Sequence, residues 1–416
     1  MRKLAWIFSI VYYSISFAQQ FDYKESTAIL CSPEFHGRGY VNGGDSIAAS
    51  YIASTFKQIG LTGYSNFDYY QSFEFPVNTF PSEMQVVLND RELIPGIHFV
   101  VEPSSNGYFG DLTLKTASIS ELYNEKINIK NWPKNTALVA RNIGFGGDTI
   151  RKVSQYLSKL VGSIPVIEVV NSKFTWSVST INARNIYLQL QDSIYGTQVE
   201  KIKVNIDSEL RKTHRTQNVV AFLPSKNKNA KTVIFTAHYD HLGRMGKDTY
   251  FPGANDNASG CSMLFYLAHY FKNHPTKFNI MFVAFAGEEA GLIGSKHYVK
   301  NPLFPLKDVR FLVNLDIMGS GEEGITAVNA TLFPKEFQLL TKINRKKKYL
   351  KAIKSRGPAA NSDHYFFTEA GVPAFFIYTM GSNKNYHDVF DKYENLTFSA
   401  FENIGNLIID FVRKLN

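Results

Sequence analysis

Apolar residues recur along this chain in changing rhythms. Over residues 19–75 the spacing is helical. Ile47, Ala48, Tyr51, Ile52 and Phe56 fall on one face, Asp45 is placed to cap that helix, and Gly60 to end it. Over 76–210 the texture is different: short β-type runs at Met84–Leu88, Thr136–Ala140, Ile164–Val169 and Asn185–Leu190 alternate with turn residues and polar stretches. From Gln217 onward, apolar runs of buried-strand length alternate with helical stretches. Strands are predicted at Val219–Leu223, Val233–Ala237, Asn279–Ala286, Val309–Leu315, Gly324–Val328 and Pro373–Tyr378. Helices are predicted at Ala258–Phe271, Ala290–Tyr298 and, opened by proline, Pro334–Arg345. A final helix carries the stripe Phe401, Ile404, Leu407, Ile408, Phe411, Val412 and Leu415, with Thr397 as its cap. Such alternation predicts an α/β fold with a mostly parallel central sheet flanked by helices. That fold draws on 19–75 and 211–416, and 76–210 forms an inserted, mainly β subdomain.

Composition excludes a disordered or fibrous chain, since hydrophobic residues make up 44% and charged residues 19%. The 45 Lys and Arg against 36 Asp and Glu give a net charge of +9, but the excess is spread along the chain. Its densest run, Arg345 to Lys348 with Lys351 and Lys354, reads as a solvated helix face rather than a nucleic-acid or membrane patch. Residues 1–18 read as a secretory signal peptide. Arg2 and Lys3 precede a mostly apolar stretch, and Ser16-Phe17-Ala18 ends it with small residues at the positions that precede a cut before Gln19. Leu4 to Ala18 is 15 residues, short of the roughly 20 needed to span a bilayer. No later stretch is long and apolar enough to form a transmembrane helix. The expectation is export to the periplasm or beyond, without stable membrane insertion. Cys31 and Cys261 both lie among apolar neighbours, so two buried free thiols are expected, and neither a disulfide framework nor a zinc ribbon is open to this chain.

Polar residues of a particular kind follow the predicted strands. His238 ends the run Val233–Ala237, and Asp240 two residues on is placed to hold the other nitrogen of its imidazole. Asp256, in the small-residue run Gly253–Gly260, is either a helix cap or a carboxylate whose two oxygens bridge two cations. Glu288 and Glu289 follow a buried strand, where a solvated acidic pair is less expected; adjacent side chains diverge, so the two can serve different purposes. Asp316 is either a turn former or a ligand, and His387 lies in a polar loop after Pro373–Tyr378. Taken singly, each has an ordinary structural explanation. Together, His238, Asp256, Glu289, Asp316 and His387 form a set of nitrogen and carboxylate donors without cysteine, which suits catalytic Zn²⁺. Two Zn²⁺ against three carboxylates leave one positive charge, which one bridging hydroxide would balance.

These residues also carry a resemblance. The runs Ala237 to Asp240, Gly253 to Gly260, Glu288 to Ser295, Asn314 to Asp316, Ser362-Asp363-His364 with Phe366, and Tyr386-His387 with Asp391 and Glu394 to Leu396 resemble the co-catalytic zinc aminopeptidase family. That family includes secreted bacterial leucine-type aminopeptidases, glutamate carboxypeptidase II-like enzymes and glutaminyl cyclases. Ser32 to Gly39 is similar to its N-terminal segment, and 76–210 loosely resembles the protease-associated insert of some members. The resemblance implies a zinc exopeptidase-like fold and a secreted metallopeptidase acting on peptides, most often as an aminopeptidase. Carboxypeptidase or single-zinc glutaminyl cyclase activity, or a non-catalytic binding module, are the alternatives. By position it implies that His238 and Asp316 bind one zinc, Glu289 and His387 the other, and Asp256 both. Glu288 becomes the general base, Asp240 the residue that orients His238, and Tyr386 a group that helps polarise the scissile carbonyl. A cis peptide bond between Asp256 and Asn257 is implied as well.

Overall fold

The computed structural model describes residues 22–64, 68–196 and 199–416. The expected leader lies outside these residues. The main sheet has eight strands in the order Tyr70–Thr79, Glu209–Leu223, Asn279–Phe285, Thr232–His238, Val309–Asp316, Ala374–Met380, Gly324–Val328, Ile353–Ser355. Its four middle strands, from Asn279–Phe285 to Ala374–Met380, are mutually parallel. Antiparallel pairings join them to Glu209–Leu223 and to Gly324–Val328. The fold is α/β as expected, with parallel pairing concentrated at the centre. Thr232–His238 and Asn279–Phe285 are buried along nearly their whole length, which explains their unbroken apolar reading. The helix Ser259–Asn273 packs on this sheet, where Phe265, Phe271 and Phe282 are wholly buried. Each such ring contributes about 1.5–3 kcal/mol by burial.

Three local expectations are corrected. Residues 70–75, read as part of a helical stretch, belong to the strand Tyr70–Thr79, in which Phe73, Phe75 and Val77 alternate inward. Asp45 does not cap its helix: the helix is Gly44–Ile59 and Gly43 stands at its cap. The Asp45 carboxylate is buried instead and accepts from Thr216 Oγ1 at 2.8 Å and His214 Nε2 at 2.7 Å. Thr397 does not cap the last helix, which runs Phe401–Lys414; its hydroxyl is turned to Glu322.

A second eight-stranded sheet lies within residues 84–206. Helices Ile119–Tyr123 and Gly147–Leu160 cover one face. Its other face shares a core with Leu242, Met245 and Phe251, which follow the strand that ends at His238. Cys31 and Cys261 are buried free thiols.

The N-terminal segment meets the loop that follows Thr232–His238 at close range. A Cβ added at Gly39 would lie 2.3 Å from Gly243 Cα, and both partners there are backbone. Gly39→Ala is expected to cost about 1–3 kcal/mol by forcing these strands of chain apart, read as a lowered midpoint in urea unfolding. An unchanged midpoint would show that the contact relaxes freely.

Candidate metal centre

Parallel strands deliver their last residues to one edge of a sheet, and here that edge gathers the polar set. Thr236 pairs with Asn314, so His238 and Asp316, two residues further on, stand level on neighbouring strands. Glu288 and Glu289 follow the adjacent strand through the Gly287 turn, whose φ is +68°. His387 follows Ala374–Met380. Asp256 reaches the same point from the loop that opens Ser259–Asn273, where the Asp256–Asn257 peptide bond is cis.

All five expected ligand residues meet. Asp256 Oδ1 lies 3.2 Å from His238 Nε2, and Asp256 Oδ2 lies 3.2 Å from His387 Nε2. His238 Nε2 is also 3.5 Å from Asp316 Oδ2, and His387 Nε2 is 3.1 Å from Glu289 Oε2. His238, Glu288 and Asp316 each offer a donor atom within 4.8 Å of the others, as do His238, Asp256 and Glu289. One carboxylate therefore faces two imidazoles, one through each oxygen.

The tautomers give a test of what this space suits. His238 Nδ1 is 3.1 Å from the carbonyl of Asp240, and His387 Nδ1 is 2.8 Å from the carbonyl of Trp176. A carbonyl only accepts, so each Nδ1 carries the proton. In a neutral ring, Nε2 then presents a lone pair to carboxylate oxygens, an arrangement that repels unless a cation lies between them. Asp316 Oδ1 is also buried without a hydrogen-bond partner. Further negative charge crowds the pocket from Asp240, Asp363 and Asp391, all fully buried. The residues fit a pair of divalent cations, and the nitrogen and oxygen donors suit zinc.

The side chains alone answer this charge by protonation. Burial works against the His387 imidazolium, but Glu289 and Asp256 outweigh it and hold its pKa up at about 11. Burial and the neighbouring Glu289, Asp363 and Asp316 push the Glu288 carboxyl well above the usual carboxylate range, against the pull of His238.

The supports around the donors differ in part from expectation. It is the main-chain oxygen of Asp240 that meets His238, whereas its carboxylate accepts from the backbone N–H groups of Glu288 at 3.1 Å and Glu289 at 3.2 Å, and from the Tyr40 hydroxyl at 2.7 Å. Asp240 thus fixes the turn that carries both glutamates. Tyr386 stacks on His387 with ring centroids 3.9 Å apart and remains 46% exposed.

Other residues were given no role in the sequence. His241 is buried and its Nδ1 donates to Glu289 Oε1 at 2.8 Å; its place three residues after His238 was the available signal. Asp391 accepts from the backbone N–H groups of Asn255 and Asp256. Arg38, fully buried, donates to the carbonyls of Tyr239, Leu30, Pro252, Gly253 and Asp256 at 2.7–3.1 Å. It ties together the two loops that present His238 and Asp256.

Residues 218–412 match the family described as peptidase family M28. These residues belong to peptidase family M28. Aminopeptidase YwaD of Bacillus subtilis is 30% identical over 202 residues, covering 46% of this chain and 43% of YwaD. The chain thus spans less than half the length of that relative. A probable leucine aminopeptidase of Arthroderma benhamiae is 23% identical over 400 residues, covering 89% of this chain and 98% of that one. The fold is shared with BSAP, a zinc aminopeptidase from Bacillus subtilis, at a TM-score of 0.69 and 19% identity over 94% of this chain and 93% of BSAP. All five expected ligands and Glu288 lie inside the M28 segment. Arg38, Tyr40 and Trp176, which hold parts of the site in place, lie outside it.

Proposed function

We propose that this protein is an exported zinc-dependent exopeptidase that releases N-terminal residues from peptides. The observation that carries the reading is Asp256, whose two oxygens each face a different imidazole Nε2 at 3.2 Å. In this reading His238 and Asp316 hold one zinc, Glu289 and His387 a second, and Asp256 both. Bound zinc would polarise the scissile carbonyl and make water at the site more acidic.

The chain's own residues supply the rest. Glu288 is the general base: it takes a proton from the attacking water and passes it to the leaving amine. The Asp240 carboxylate fixes the Glu288 backbone and so the reach of its side chain. Tyr386, alongside His387, is placed to donate from its hydroxyl to the substrate carbonyl; burial and the nearby Asp256 keep that phenol protonated. Two imidazoles on opposite oxygens of Asp256 favour two metals over the single zinc of a cyclase. Among the described residues, no helix is long and apolar enough to cross a membrane.

The test is a panel of peptides with free, amine-blocked and carboxyl-blocked ends, assayed with and without chelator. Free-amine and carboxyl-blocked substrates are expected to be cleaved, amine-blocked ones spared, and chelator should abolish turnover until zinc is restored. Turnover indifferent to chelator would end the zinc reading. Preference for amine-blocked substrates would move the activity to the other end of the chain, and pyroglutamate formation with about one zinc per chain would indicate a cyclase.

A further inference from the structure

The second sheet sends one long segment to the metal centre. Between its strands Val166–Val170 and Tyr187–Gln191 the chain has no helix or strand. Loops of this length in compact proteins are uncommon without a function. Trp176 in this segment meets His387 twice: its backbone N–H donates to the His387 carbonyl at 2.8 Å, and its own carbonyl accepts from His387 Nδ1 at 2.8 Å. Trp176 is itself fixed. Its ring stacks on Phe251 with centroids 4.6 Å apart, and Nε1 donates to the Val101 carbonyl at 2.7 Å. Three residues earlier, Lys173 donates to the Lys384 carbonyl at 2.8 Å and forms an ion pair with Asp388. The segment therefore grips the loop on both sides of His387 and at His387 itself. That grip matters because His387 sits at a φ of +54°, an uncommon conformation for a residue other than glycine.

We infer that residues 171–178 are a positioning strap for His387, and that the second sheet thereby sets the zinc affinity of one site of the pair and leaves the other alone. The inference rests on the dinuclear reading above. The Trp176 carbonyl keeps the proton on Nδ1 and aims the Nε2 lone pair at the position shared with Asp256 and Glu289. His238 receives the equivalent contact from Asp240, two residues along its own chain. The two imidazoles are thus anchored independently, one within the M28 segment and one from outside it. Loosening the strap should weaken only the site that His387 completes.

The experiment titrates zinc into the full-length apoprotein against chromophoric chelators of graded strength. Wild type, Lys173→Met, Lys173→Arg, Trp176→Ala and Ile181→Ser are compared; Ile181 lies further along the same segment and is 66% exposed. Wild type and Ile181→Ser are expected to take up two zinc ions with the same affinities. Lys173→Met and Trp176→Ala should keep one tight zinc and bind the other about 10- to 100-fold more weakly, with Lys173→Arg restoring it. With Co²⁺ as probe, the visible absorption of the weaker equivalent should change and that of the tighter one should not. The Lys173 side chain is 43% exposed, so Lys173→Met keeps the test open should Trp176→Ala fail to fold. Unchanged affinities in Lys173→Met, or an equal fall at both sites, would overturn the strap. Fewer than two zinc ions in wild type would instead remove the dinuclear reading, and the strap with it.

Discussion

Glu288→Gln is expected to lower kcat by about 10²- to 10⁴-fold, the usual worth of a positioned general base, while zinc content and thermal unfolding stay close to wild type. Glutamine has nearly the shape of glutamate but cannot accept and return a proton. Glu288 is the one member of the acidic pair that does not hydrogen-bond to a histidine among the described contacts. Glu289, in contrast, meets both His241 and His387. The corresponding Glu289→Gln change should therefore disturb zinc content, which separates the two roles. Single-turnover assays on Glu288→Gln with metal analysis on the same sample check this. Near wild-type turnover would remove Glu288 from proton transfer.

The largest effect on stability is expected at Arg38. Its guanidinium is fully buried and sends its N–H groups to five backbone carbonyls from three separate stretches of chain. Arg38→Ala would take the guanidinium donor from all five carbonyls, of which, among the described contacts, only Gly253 also accepts from another group, the Ala258 N–H, and would remove a positive charge beside an acidic pocket. At about 1–3 kcal/mol for each orphaned group that finds no water, a loss of roughly 4 kcal/mol or more is expected, within the small class of very damaging substitutions. Arg38→Lys should recover only part of it, because an ammonium has three donors and no planar fork. Urea unfolding of both variants measures the loss. A midpoint for Arg38→Ala near that of wild type would show that water or a rearranged loop takes over the five carbonyls.

Much of the architecture could be read from apolar runs because the central strands are buried on both faces, so their burial leaves an uninterrupted trace in the sequence. Met84–Leu88 and Gly324–Val328 fall where the pattern placed them, and Thr232–His238 exceeds its prediction by a residue at each end. Helix caps were less legible. Asp45 and Thr397 have the right chemistry for capping, but a tertiary partner took each side chain first: Thr216 and His214 in one case, Glu322 in the other. The strand Tyr70–Thr79 was hidden because its pairing partner, Glu209–Leu223, lies more than a hundred residues away.

The donors could also be named from sequence, since His, Asp and Glu placed after buried strands are rarely idle in such numbers. The supports could not. Arg38 acts through backbone carbonyls, and Trp176 meets His387 through its own main chain, so neither contact depends on a side-chain pattern that spacing could reveal.

By itself the sequence determined which groups are available for chemistry and roughly which strands present them, because hydrophobic periodicity and residue type are local properties. The tertiary structure alone decided that both oxygens of Asp256 face imidazoles, that Asp240 serves the glutamate turn with its carboxylate, and that a segment of the second sheet holds His387. Those are matters of distance between remote parts of the chain, and distance is fixed only when the parts pack together.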